Sequence, residues 1–270
     1  METPKIAFVG GGNMARALIG GLRTAGHQAE AICVSDLDSA ARDRVTSEFG
    51  VASTSDNRVA VDGRETVVLA VKPQVIPAVL RDLTEVLAPG TLVISVAAGV
   101  TLKTLRAGLG DAVQLVRAMP NTPALYGAGM TGMVAAAGLS TEARGRAEEI
   151  LKSSGEVVWL EDEALMDVVT AVSGSGPAYF FALAELLAEA GERAGLEADV
   201  AARLASQTAR GAGIMLTESG ESAGRLREQV TSPGGTTAAA LSVLEAADFA
   251  QLIDDAVTAA VRRGRELGGD

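Results

Sequence analysis

Cysteine and histidine are almost absent, with one of each, Cys33 and His27, in 270 residues. A single thiol excludes an intrachain disulfide, and one Cys with one His falls short of the Cys and His sets that hold zinc, so no metal site of that kind is expected. Cys33 lies in the apolar run Ala31-Ile32-Cys33-Val34 and reads as a core thiol rather than a nucleophile. Basic charge is also scarce: 23 Lys and Arg stand against 34 Asp and Glu, a net charge of -11. That argues against nucleic acid or an anionic lipid surface as a partner, and any anionic ligand has to be held locally. Long apolar runs are missing too. The richest stretch, residues 178–190, is broken by Glu185 and Glu189, short of the roughly 18 apolar residues a bilayer span needs. The start, Met1-Glu2-Thr3-Pro4-Lys5, lacks the features of a signal peptide. A cytoplasmic protein without a membrane partner is the expectation.

What is present is a folded chain: 48% of residues are hydrophobic, which excludes a disordered polymer. The length suits two modest domains. Over residues 1–161, short β-rich runs at 5–9, 31–36, 66–71, 92–96, 113–116, 130–135 and 156–160 alternate with helical patterns. This predicts an α/β domain of parallel βαβ units with helices on both faces of a doubly wound sheet. Residues 162–270 hold no convincing strand but long runs of Ala, Leu and Glu at 179–194, 198–218, 237–246 and 249–267, which predict an all-α domain. The helix at 179–190 is apolar around most of its circumference, and a domain of about a hundred residues can seldom bury such a helix alone. A homodimer in which a partner chain covers it is expected; the alternative is a central helix wrapped by its own domain.

The first motif is the strand Lys5-Ile6-Ala7-Phe8-Val9 running into Gly10-Gly11-Gly12-Asn13-Met14-Ala15. In this G-x-G-x-x-A pattern Gly10 permits the tight turn, Gly12 admits a pyrophosphate to the backbone, and Ala15 lets helix pack closely on strand. Asp36, at the end of the second run, sits where an acidic side chain accepts hydrogen bonds from an adenosine ribose and repels a 2′-phosphate. Arg42 and Arg44 close by offer the opposite preference, and Asp38 or Ser35 could cap the next helix. The strand-end segments Ala70-Val71-Lys72-Pro73 and Ser95-Val96-Ala97-Ala98-Gly99 should border the same cofactor. Arg117-Ala118-Met119-Pro120-Asn121-Thr122-Pro123 reads as a rigid loop, its two prolines ending regular pairing. In the helical part, Val172-Ser173-Gly174-Ser175-Gly176-Pro177 opens the apolar helix. Thr231-Ser232-Pro233-Gly234-Gly235-Thr236-Thr237 opens a later one and forms a compact nest suited to a carboxylate.

Taken in order from residue 10 to residue 237, GGGNMA, AVKP, SVAAGV, RAMPNTPA, VSGSGPAY and TSPGGTT make the chain resemble the Δ1-pyrroline-5-carboxylate reductases of proline biosynthesis over nearly its full length. The resemblance implies a Rossmann-type N-terminal domain and a helical C-terminal dimerisation domain, often in a larger ring of dimers. It implies hydride transfer from NADPH or NADH to the imine carbon of a cyclic imino acid, giving proline. Carried over by residue, Gly10, Gly11, Gly12, Asn13, Met14, Ala15, Asn57, Ala70, Val71, Lys72 and Pro73 match cofactor contacts. Asp36 and Ala97 join them from the strand-end reading above. Ser232, Gly234, Gly235, Thr236 and Thr237 match the loop around the substrate carboxylate, and Thr237 matches the threonine near the ring nitrogen. Asp36-Leu37 departs from the Ser, Thr or Arg that many members carry there.

Such a reaction needs no nucleophile and no metal, because a protonated imine is already electrophilic; scarce histidine is no handicap. Two rivals remain. A β-hydroxyacid dehydrogenase shares the domain plan but uses a lysine of its helical domain, and this chain has no lysine after Lys152. A non-catalytic nicotinamide sensor would need the glycine motif but not the 232–237 nest.

Overall fold

Alternate residues of the first strand, β1 (Ile6–Val9), enter two separate cores: Ile6 and Phe8 one, Ala7 and Val9 the other. A strand apolar on both sides has to be covered on both faces, which is what a doubly wound sheet supplies. The computed structural model describes residues 4–268.

The chain continues through α1 (Asn13–Thr24), β2 (Ile32–Ser35), α2 (Ser39–Phe49), β3 (Ala52–Thr54), α3 (Asn57–Val61), β4 (Thr66–Leu69), α4 (Ile76–Leu83), β5 (Leu92–Ser95) and α5 (Leu102–Leu109). It then forms β6 (Gln114–Met119), β7 (Gly129–Ala135), α6 (Thr141–Lys152) and β8 (Gly155–Leu160). The sheet order is β3-β2-β1-β4-β5-β6-β7-β8. Direction of travel reverses between β1 and β4, so loops at the carboxyl ends of these two strands flank the crevice where such sheets bind ligands.

Two features of the sheet depart from the sequence-based expectation. β3 has only three residues, none of them fully buried, and pairs with β2 alone; an exposed edge strand leaves no apolar run to read. β7 runs antiparallel to β6, against the expected uniform parallel pattern. The 120–128 connection holds two prolines and a short 3₁₀ turn, Thr122–Tyr126. Parallel neighbours need a crossover of a dozen residues or more, usually through a helix, so the strand turns back.

After β8 come the short α7 (Met166–Val169), a π-helical turn at Thr170–Gly174, and then α8 (Gly176–Arg193), α9 (Ala198–Glu218), α10 (Ala223–Gln229), α11 (Thr236–Ala246) and α12 (Phe249–Gly268). The seven-residue α10 is an addition to the expected helices. α8 begins earlier than expected because Pro177 suits the first helical turn, where its missing N–H costs nothing. Two compact units result. One comprises the chain through Gly174 together with the residues from Ala260 on; the other is Ser175–Ala259.

The second unit has almost no core of its own. Among its described residues only Gly176, Ala201, Ala205 and Leu226 are buried, while Phe180, Phe181, Leu183, Leu186 and Leu187 of α8 are exposed. The expected alternative of an apolar helix wrapped by its own domain therefore does not hold within this chain. No described helix is long and apolar enough to cross a membrane.

Candidate active site

The turn after β1 is built so that its glycines differ in what they tolerate. Gly10 has φ +103, and a Cβ there would lie 2.7 Å from the Ala70 carbonyl oxygen. Glycine is obligatory at this position because the turn rests on the end of β4. Gly12 has an ordinary φ of -72 as the N-cap of α1, and a Cβ on it would meet nothing within 4 Å. The first helical bond runs from Arg16 N–H to the Gly12 carbonyl, so the amides of Asn13, Met14 and Ala15 lie outside the helix's own ladder. No acidic residue and no side-chain cap occupy this first turn. Open space over unpaired amides at a helix start fits a pyrophosphate. Ala15 is fully buried against the sheet, as close helix packing requires.

Asp36 follows β2 and folds back over the glycine turn. Its carboxylate accepts from Gly11 N–H at 2.7 Å and from Asp38 N–H at 2.9 Å, so it organises the turn that it borders. Asp38, not Ser35, caps α2, accepting from Ala40 N–H. Arg42 donates to the carbonyls of Asp36 and Leu37, and Arg44 stands 3.9 Å from Asp38; both guanidinium groups thus stand beside the turn after β2. Asn57 heads α3, where its amide oxygen accepts from the buried Ser35 hydroxyl at 2.8 Å. Ala70 donates to the Val9 carbonyl, Lys72 is exposed and caps the Pro73–Val75 turn, and Ala97 is buried with its N–H on the Ser95 hydroxyl. These carboxyl-end loops all belong to the first unit.

The second group of expected site residues lies in the second unit. Ser232 to Gly235 form a tight turn closed by Gly235 N–H on the Ser232 carbonyl at 3.0 Å. Pro233 occupies its second position and Gly234, with φ +70, its third, where a positive φ favours glycine. The turn leads directly into α11, whose N-cap is Gly235 with no side-chain cap. Ala239 N–H makes the first helical bond, leaving the amides of Thr236, Thr237 and Ala238 for an anion. The Thr237 hydroxyl has no hydrogen-bond partner among the described residues and does not serve as the cap.

Cys33 is the core thiol its apolar run suggests, and burial raises its thiol pKa. His27 is tied to the Pro4 carbonyl.

Comparison with known proteins adds independent weight. A family model described as pyrroline-5-carboxylate reductase dimerisation matches residues 163–267, and one described as NADP oxidoreductase coenzyme F420-dependent matches residues 5–99. The chain is 45% identical to a pyrroline-5-carboxylate reductase of Pseudomonas aeruginosa, over 99% of this chain and 98% of that one. The chain belongs to the pyrroline-5-carboxylate reductase family. The solved reductase of Coxiella burnetii superposes with a TM-score of 0.94 at 42% identity, covering 98% of this chain and 99% of that one. That of Plasmodium falciparum, solved with NADP bound, gives 0.87 at 29% identity, covering 99% of each. A Mycobacterium tuberculosis 3-hydroxyisobutyrate dehydrogenase, at 20% identity and a TM-score of 0.53, covers 73% of this chain and 67% of that one. It shares the fold alone.

Within this reductase, sequence reasoning missed a set of polar links. Asn121, read only as part of a rigid loop, accepts from Met130 N–H through Oδ1 and donates through Nδ2 to the Ser173 carbonyl. It therefore pins the start of the Ser-Gly-Ser-Gly segment to β7. Glu163 was not singled out at all, yet it pairs with Arg117 at 2.8 Å. No local signal reveals either link, because the partners stand far apart in the chain.

Proposed function

We propose that the chain reduces 1-pyrroline-5-carboxylate to L-proline with NADPH or NADH, the last step of proline biosynthesis. The observation that carries this reading is the presence of two anion-ready helix starts, the Gly10–Ala15 turn for a pyrophosphate and the Ser232–Thr237 turn for a carboxylate, in a member of the reductase family that matches its relatives over nearly their whole length. In this reading residues 1–161 bind the dinucleotide and 162–270 hold substrate and dimerise. NAD(P)H supplies hydride when bound. Gly12 and the amides of Asn13 to Ala15 take its pyrophosphate and Asp36 its adenosine ribose. Asn57 and residues Ala70 to Pro73 line the crevice, with the Ala97 loop at the nicotinamide end.

Ser232, Gly234, Gly235 and Thr236 hold the substrate carboxylate. The imine carbon gains a hydride and the nitrogen carries a proton, so the work left to the protein is orientation, which can contribute up to about 7–11 kcal/mol in well-aligned systems. The Thr237 hydroxyl hydrogen-bonds the ring nitrogen as it becomes an amine. The test is nicotinamide absorbance: oxidation is expected with pyrroline-5-carboxylate and not with β-hydroxy acids or their keto forms, and turnover with neither substrate class would leave the sensor reading standing.

Cofactor preference is read in the same assay. Asp36→Ser removes a negative charge from the adenosine end, so the ratio of kcat/KM values should move toward NADPH by about tenfold. The variant also loses the acceptor for Gly11 N–H, which weakens both cofactors alike; the ratio isolates the charge. An unmoved ratio would leave Asp36 only its turn-organising role.

The homodimer follows from the exposed apolar face of α8 and the nearly coreless helical unit, since a unit of this size cannot be stable with such residues in water. A cytoplasmic homodimer, with assembly into a ring of dimers, is the reading adopted. Light scattering of the full chain should give a mass of at least two chains, and Leu186→Glu, midway along α8, should lower it or render the chain insoluble. A wild-type monomer would reject the dimer.

A further inference from the structure

We propose that Glu163 is a positioning residue of this reductase, its carboxylate setting the loop of residues 96–100 at the nicotinamide end; the inference rests on the cofactor reading given above. Asp36 after β2 marks the adenosine end and the glycine turn the pyrophosphate, so the loop after β5, on the other side of β1, belongs to the nicotinamide half. That loop reads Val-Ala-Ala-Gly-Val. Ala97 and Val100 pack into the core, but the loop has no polar side chain of its own, so its side-chain hydrogen bonds come from the residues that grip its two ends.

At the near end Val96 N–H donates to the Leu69 carbonyl at 3.0 Å, and Ala97 N–H to the Ser95 hydroxyl at 3.4 Å. At the far end the chain must turn into α5. The Thr101 hydroxyl caps Thr104 N–H at 3.1 Å, which leaves the first amide of the helix to another partner. Glu163 Oε1 fills that role, accepting from Leu102 N–H at 2.8 Å across 61 residues of sequence. The same oxygen accepts from Arg117 at 2.8 Å. The Arg117 side chain is only 8% exposed, against 29% for Glu163, so the cation sits behind the carboxylate and holds it toward α5. Arg117 is itself placed by register, opposite Ser95 at the end of β5. Glu163 is placed by its own 3₁₀ turn, Glu163–Leu165, whose cap is Asp162 accepting from Ala164 N–H.

One carboxylate thus joins three elements: β6, the start of α5, and the segment that leads on to the Ser173 anchor on Asn121. A carboxylate at a helix start is also favoured by the helix dipole. Its removal leaves a buried guanidinium unpaired and Leu102 N–H uncapped, and both changes fall at the exit of the 96–100 loop.

The test separates a displaced nicotinamide loop from general loss of structure. Full-length wild type, Glu163→Gln and Glu163→Ala are titrated with NADPH and with 2′-phospho-ADP-ribose, which carries the adenosine and pyrophosphate but no nicotinamide. Positioning predicts that Glu163→Ala weakens NADPH by about tenfold or more while leaving the fragment within about twofold. Glu163→Gln, which keeps the acceptor oxygen but loses the charge, should fall between. In turnover, the isotope effect with NADPH deuterated at the transferred position should rise in the same order. Parallel weakening of cofactor and fragment, or no weakening of either, overturns the proposal. If the Ala variant does not fold, Glu163→Gln decides on the same two titrations. A wild type that binds NADPH but does not reduce pyrroline-5-carboxylate would sink the proposed reaction and leave this binding comparison intact, whereas a wild type that binds neither probe would sink the cofactor reading and this inference with it.

Discussion

Gly12→Val is expected to abolish measurable NAD(P)H binding while leaving the melting temperature close to that of the wild type. The two halves of this expectation have separate physical grounds. Gly12 adopts φ -72, which any L-residue accepts, and a Cβ there meets nothing within 4 Å, so the free protein should carry valine without strain or clash. The space the isopropyl group would fill is the space above the unpaired amides of α1. A pyrophosphate excluded from them loses at least two charge-assisted hydrogen bonds, roughly 3–6 kcal/mol, or a Kd weaker by about a hundredfold to ten-thousandfold. Isothermal titration and a thermal melt on the same preparation check both halves. Gly10→Ala is the informative contrast, since a Cβ there runs into the Ala70 carbonyl at a positive φ and the damage should appear in stability. Unchanged cofactor affinity in Gly12→Val would reject the phosphate assignment.

Thr237→Ala should lower kcat/KM for pyrroline-5-carboxylate by about tenfold to slightly over a hundredfold, the value of roughly 1.5–3 kcal/mol for a hydrogen bond to a charged group. If that bond strengthens as imine becomes amine, kcat falls along with any rise in KM, because only interactions stronger in the transition state accelerate the step. The rival explanation, a helix cap, makes a different prediction. Loss of a threonine cap costs about 1 kcal/mol of stability, but α11 is capped by Gly235 and draws no side-chain cap. The melting temperature of Thr237→Ala should therefore hold, NADPH affinity should hold, and Thr237→Ser should keep most activity. A variant that melts early yet retains near-normal kcat/KM would assign Thr237 to the helix and not to the chemistry.

What the sequence by itself determined is whatever depends on a residue and its immediate neighbours. Buried strands announce themselves as apolar runs because both faces are covered, and the break from strands to helices near residue 160 is visible in composition alone. The glycine turn after β1, the Ser-Pro-Gly-Gly turn before α11 and the family motifs are legible for the same reason: a positive φ or a helix start is a local demand, met by residues within a few positions. Asp36 was placed at the right strand end, although its bond to Gly11 N–H joins residues 25 apart and could not be read.

Only the tertiary structure decided the rest. The antiparallel course of β7 depends on a connection too short to cross the sheet. The three-residue β3 is a strand because β2 offers it an edge. Glu163 meets Arg117 and Leu102 across 46 and 61 residues, and Asn121 meets Ser173 across 52. A lone glutamate or asparagine in a polar turn looks like any solvated side chain, and its meaning comes from which donors the fold brings to it. The exposed face of α8 divides in the same way: its apolar circumference is written in the sequence, but that its own chain leaves it uncovered follows from the packing of all the helices around it, a non-local sum that no short window of residues contains.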